Sequence, residues 1–114
     1  MTELVAVRLG GDGSRWRALG FDVVDAAIRL SNGAIEFVGD RSADDQDSLV
    51  VRSPDVNVPI DVDGVRVVPA TTGGAGRSQP NGALSLDHLV VMTDSLERTS
   101  DAFADRLGLA RRRV

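Results

Sequence analysis

Leu86-Asp87-His88-Leu89-Val90-Val91-Met92-Thr93-Asp94-Ser95-Leu96-Glu97-Arg98-Thr99 is the stretch on which the fold reading turns. Its first half lies in an apolar run, Leu84 to Met92, interrupted only by Ser85, Asp87 and His88. That length and β-branched content predict a strand. Asp94-Ser95-Leu96-Glu97 then has a side-chain acceptor followed three residues later by a carboxylate, the pattern of a capping box with Asp94 at the N-cap. Beyond it Leu96, Phe103 and Leu107 fall on one helical stripe beside Ser100, and Gly108 closes the helix. Leu109 to Val114 reads as the start of another extended segment.

The same order of signals opens the chain. Leu4 to Leu9 is a Val-rich strand, and Gly10-Gly11-Asp12-Gly13 breaks it. Asp12 is placed to cap a short helix carrying Trp16 and Leu19, with Gly20 at its left-handed exit. Phe21 to Val24 reads as extended, and Ala27–Leu30, Ser31-Asn32-Gly33 and Ala34–Val38 read as a hairpin turning on Asn-Gly. The first region is therefore β-α-β-β-β. Leu19-Gly20-Phe21 and Leu107-Gly108-Leu109 are matching helix exits, which together with the strand-helix-strand order points to an internal duplication. Between the two regions, Gly39 to Asp47 is an acidic loop and Leu49 to Val51 a short strand. Val58–Val62 and Val65–Val68 form a hairpin around Asp63-Gly64, and Thr71 to Gly82 is a Gly/Pro-rich linker.

The quoted stretch resembles the opening of a vicinal-oxygen-chelate module, as found in glyoxalase and bleomycin-resistance proteins. There a D-H-hydrophobic-V strand leads through D-L-E into the module's helix. Pro80-Asn81-Gly82-Ala83 is similar to the lead-in of two-module members, and Gly33-Ala34-Ile35-Glu36-Phe37-Val38-Gly39 to a module's closing strand. The resemblance implies an α+β fold of paired β-α-β-β-β modules cupped into an incomplete barrel, the second module truncated to β-α-β. It divides the chain into a first module at 1–39, a connecting segment at 40–83 and the start of a second module at 84–114.

By the same resemblance, His88 would be the first-strand metal ligand of the second module and Glu36 the last-strand ligand of the first. Neutral imidazole suits Zn, Ni, Fe or Mn. The first module's own first-strand position falls at Glu3 or Leu4; Glu3 shares parity with Val5 and Val7 and would face the cavity if Arg8 faces outward. The fourth ligand would come from a closing strand of the second module that does not occur before Val114. Without a metal, His88 and Glu36 are a hydrogen-bonded strand histidine and a solvent-facing or paired strand glutamate. One imidazole and one firm carboxylate fall short of the three protein ligands usual at a catalytic centre. No catalytic residue is assigned.

Other motifs have plain readings. Gly10-Gly11-Asp12-Gly13 matches neither G-x-G-x-x-G nor a P-loop and is a turn. Asp61-Val62-Asp63-Gly64 lacks the later ligands of a calcium loop and is a hairpin turn. Asp44, Asp45 and Asp47 form a solvated loop, and Arg111-Arg112-Arg113 an exposed strand. There is no G-x-S-x-G and no H-E-x-x-H, and nothing places a nucleophile beside the single histidine.

The balance of charge limits the partners. Seventeen acidic against 13 basic side chains give a net charge of -4 and argue against nucleic acid or an anionic membrane. The absence of cysteine excludes disulfides and thiolate chemistry. No signal peptide or bilayer-length apolar run is seen, so the expectation is a cytoplasmic protein. The expected function is small-molecule binding of unassigned activity. It extends either to metal-dependent lyase, isomerase or dioxygenase chemistry, or to a non-catalytic sequestering protein or an inactive truncated remnant. A homodimer or strand-swapped assembly is expected from sheet edges left uncovered by the short second module.

Overall fold

The computed structural model describes residues 2–39, 47–71, 76 and 78–109. Among them are six strands and two helices: β1 (Glu3–Leu9), α1 (Ser14–Ala18), β2 (Ala27–Leu30), β3 (Gly33–Phe37), β4 (Ser48–Arg52), β5 (Ile60–Val62), β6 (Val65–Pro69) and α2 (Leu96–Leu107). This is an α+β arrangement around one mixed sheet of order β2-β3-β1-β4-β6-β5.

The sheet contains a symmetry different from the one expected. β1 and the β2–β3 hairpin form one half, with β3 parallel to β1. β4 and the β5–β6 hairpin form the other, with β6 parallel to β4. The two halves join antiparallel through β1 and β4. Residues 48–69, from the connecting segment, thus supply three strands to the same sheet as β1. The first half crosses over through α1, the second through the loop between Arg52 and Ile60, which buries Val56.

Side chains alternate across a strand, so the register sorts the sheet into two faces. Val7, Leu9, Ile28, Leu30, Ile35 and Phe37 share one face with Leu49, Val51, Val62 and Val67. Two clusters cover it. Trp16, Phe21, Val23 and Leu86 pack on the β2–β3 side, and Val56, Ala102, Phe103 and Leu107 on the β4–β6 side. Burying each of the larger side chains contributes about 1.5–3 kcal/mol relative to exposure. The opposite face has a floor of small residues, Ala6, Ala34, Val50 and Val68, ringed by the longer polar side chains at Arg8, Glu36, Arg52 and Arg66.

Several local expectations shift. Phe21 to Val24 forms no strand; it makes a single bridge, Val24 with Ala27, through a two-residue turn in which Asp25 and Ala26 both have positive φ. The β2–β3 turn is made by Ser31 and Asn32, with Gly33 already in β3 and no positive φ at any of the three. Gly33 is needed instead for close approach: a Cβ there would meet the Val5 carbonyl oxygen at 2.6 Å. That carbonyl belongs to a bulge, since β1 slips one residue against β4 between Leu4 and Ala6. The Asp63-Gly64 hairpin forms as expected, with positive φ at both residues.

Leu84 to Met92 joins no sheet. The four inner strands are paired on both sides, and among the described residues neither edge strand, β2 nor β5, is paired to it. The segment is an extended strap, fixed by Asn32, whose side chain donates to the Leu86 carbonyl at 2.7 Å and accepts from the Leu86 N–H at 2.9 Å. The predicted helix follows at Leu96–Leu107, but its N-cap is Ser95, which accepts from the Arg98 N–H, and not Asp94. α1 likewise caps on Gly13, with the Asp12 carboxylate accepting from the Ser14 N–H. Those backbone and hydroxyl bonds from Ser14 hold the Asp12 carboxyl below its usual range. Both helices leave through a left-handed glycine, Gly20 and Gly108, as their matching exits implied. On α2 the buried side chains are Thr99 and Leu107, and Leu96 is 54% exposed. Of the extended segment expected at Leu109–Val114, Leu109 donates its N–H to the Phe103 carbonyl at 3.3 Å, and the rest, including the arginine run, lies outside the described residues. Asp44 and Asp45 lie outside them too.

Candidate functional site

The strap divides the helix-bearing face. Trp16 of α1 packs on the β2–β3 side of that face and α2 on the β4–β6 side, and strap residues line hollows on both sides. Beneath the strap, on the α1 side, is a cleft of about 370 Å³ floored by Val7, Leu9, Leu30 and Ile35 and walled by Trp16, Phe21 and Leu86. Ala83, Ser85 and Leu89 complete its rim, and Ser85 is its only polar side chain. A second hollow of about 290 Å³ lies on the α2 side, with Leu89 common to both.

The local sequence explains the aromatic wall. After α1, Gly20 donates to the Arg17 carbonyl and Phe21 to the Trp16 carbonyl. This Schellman-type exit folds Phe21 back onto Trp16, ring centroids 5.6 Å apart and edge to face. Phe37 lies 6.0 Å from Trp16 on the other side. Three of the four aromatic residues in the chain therefore meet here. Sequence reasoning missed the cleft, although the Trp16 and Phe21 pair flanking a helix-exit glycine was a usable signal.

The expected metal ligands are placed elsewhere. Glu36, half-buried on β3, accepts from Arg8 Nε at 2.9 Å on the face away from the cleft. Glu3 pairs with Arg52 at 3.1 Å. Because of the bulge, Glu3 falls on the face of Arg8 and Glu36 and not with Val7. It is five residues from Arg8, roughly 15 Å along the strand at the usual rise, too far to share an ion with Glu36. His88 lies on the strap with its side chain 73% exposed and Nδ1 2.7 Å from Asp87 Oδ2. Among the described residues no three His, Asp or Glu side chains gather as a metal-binding group. The residues present do not fit a shared ion, and no chemical step is derived through one.

The strongest polar cluster docks α2 onto the β5–β6 hairpin. Asp63 accepts from Arg98 Nε at 2.8 Å and from the Thr99 hydroxyl, which also bonds Thr93 at 2.7 Å. Arg98 reaches Asp94 at 2.6 Å. The Thr99 hydroxyl, then Arg98, hold the Asp63 carboxyl below its usual range; Arg98 does the same for Asp94. Asp94 and Asp63 in turn raise Arg98. Every member is satisfied by another, which marks the cluster as a structural clasp. The Asp61 carboxylate closes the hairpin by accepting from the Gly64 N–H at 2.8 Å, so the calcium-like tetrad is a turn here.

No helix among the described residues is long and apolar enough to cross a membrane. Scans against family models, curated proteins and solved structures return no match.

Proposed function

We propose that this chain is a small-molecule-binding protein of glyoxalase-like type, taking its ligand in the apolar cleft beneath the strap and acting by sequestration. The cleft carries the reading: about 370 Å³, lined by nine apolar residues and one serine. Pockets of this size and lining are the usual form of small-molecule sites. The family resemblance is supported by the first and last strands of residues 3–37 lying parallel and adjacent with a helix between them. It is supported too by the helix that follows Asp94-Ser95-Leu96-Glu97.

Quenching of Trp16, the single tryptophan, by a naphthalene-sized probe tests the site directly. Saturable quenching that is lost in Ala83→Phe, which fills the cleft from its rim and leaves Trp16 the single tryptophan while the fold is retained by circular dichroism, supports it. Unsaturable quenching overturns it. The metal-dependent lyase, isomerase or dioxygenase reading makes a different demand, stoichiometric divalent metal that disappears in His88→Ala. Elemental analysis of the purified protein decides between the two.

We also propose that a second copy covers the outer edge of the strap, where Leu84, Val90 and Met92 are 66%, 73% and 89% exposed. Three exposed large apolar side chains on one short segment support this reading. A monomer by light scattering across a hundredfold range of concentration overturns the homodimer.

A further inference from the structure

The lining of the cleft also selects its ligand, an inference that rests on the binding role proposed above. We infer that the cleft takes an uncharged, ring-bearing apolar molecule and rejects its carboxylate and ammonium analogues. None of the ten lining residues is charged, and their only side-chain hydrogen-bonding groups are the Ser85 hydroxyl at the rim and the Trp16 indole N–H. Several charged side chains next to the lining in sequence are held by other partners. Arg17 donates to the Val23 carbonyl, Asp87 meets His88, and Arg8 and Glu36 pair on the opposite face. An ion entering would lose its water and find no counter-charge, a far larger cost than burying an apolar ring.

Shape narrows the class further. An apolar cavity of about 150 Å³ is enough for benzene, so about 370 Å³ holds two or three fused rings. Trp16 and Phe21, edge to face at 66°, offer one ring face and one ring edge for stacking. One hydroxyl or carbonyl on the ligand can meet Ser85. The predicted ligand is thus a neutral bicyclic or tricyclic with no more than one polar substituent at an end.

The experiment is a Trp16 fluorescence titration of the intact chain with three probes of one skeleton: 2-naphthalenemethanol, 2-naphthoate and 2-naphthylmethylammonium, at pH 7. The expected result is saturable binding of the alcohol, with both ions weaker by on the order of 100-fold. Equal or tighter binding of either ion overturns the inference while leaving a ligand-binding cleft in place. Failure of all three overturns the binding role itself. Ser85→Ala, on the exposed strap, weakens the alcohol a few-fold and leaves unsubstituted naphthalene unchanged; an identical loss for both refutes the orientation toward Ser85.

Discussion

Replacing Gly33 by alanine tests the central geometry of the sheet. The new Cβ would lie 2.6 Å from the Val5 carbonyl oxygen and 3.4 Å from its carbon, where real Cβ atoms essentially never come within 3.0 Å. The backbone of β1 must therefore retreat by at least about 0.4 Å. It cannot do so freely, because β1 is paired on both sides, to β3 and to β4. Overpacking of this kind costs about 1–3 kcal/mol, offset by about 0.4–1 kcal/mol from a less disordered unfolded chain. Gly33 has no positive φ, so no left-handed strain enters. The expected net loss is about 1–2 kcal/mol.

Urea unfolding followed by Trp16 fluorescence measures it. With a slope of about 1–3 kcal/mol per molar urea, the midpoint falls by roughly 0.5–1 M. The same Cβ lies 3.6 Å from Leu86 Cδ1, so the strap shifts and the native Trp16 emission moves to the red. Ser31→Ala, exposed in the adjoining turn, should stay within about 0.5 kcal/mol. A Gly33→Ala protein as stable as wild type would refute the bulge at Val5 and the register that depends on it.

Ala26→Gly should be neutral or up to about 1 kcal/mol more stable, because Ala26 has φ 58 and a left-handed alanine costs about 1–2 kcal/mol; an ordinary glycine penalty in the same urea assay counts against this turn. Leu107→Ala, from 2% exposure against Val51, Val56, Val62 and Val67, should lose about 2–4 kcal/mol, read by calorimetry, and a loss under 1 kcal/mol contradicts the docking of α2. Asp63 has a lowered carboxyl pKa when folded, so its stabilising effect is complete above the unfolded value of about 3.9 and fades as pH falls through the folded one. The stability gap between wild type and Asp63→Asn is therefore expected to be widest above pH 5 and to shrink below pH 4; a gap independent of pH removes the clasp from the account of α2.

The elements legible in the sequence were those with local determinants. The Asp63-Gly64 turn and the two glycine exits rest on neighbouring residues and formed where they were expected, whereas the β2–β3 hairpin formed without the positive φ expected at Asn-Gly. The features that misled depend on remote partners. Apolar Leu84–Met92 has the composition of a strand, but among the described residues no sheet edge is paired with it. The N-cap moved from Asp94 to Ser95 because the Asp94 carboxylate has a better partner in Arg98. Parity counting placed Glu3 with Val7, and a single bulge reversed it. The cleft was harder still to foresee, since Leu9, Trp16, Ile35 and Leu86 are ordinary core residues until the strap leaves space between them.

That reversal at Glu3 separates the two functional readings in space. Carboxylates that point to metal chemistry lie on the small-residue face with Arg8 and Arg52, and the cleft lies on the helix-bearing face. A ligand under the strap is divided from Glu36 by the sheet itself, so an ion held there would not polarise it. His88 does not join them either, because its ring is directed to Asp87 on the exposed side of the strap. A metal enzyme would need its substrate on the Ala6–Ala34–Val50–Val68 floor, and a sequestering protein would need it against Trp16. Trp16 reports only the second location. A ligand that saturates binding without altering Trp16 emission would therefore move the function to the other face of the sheet.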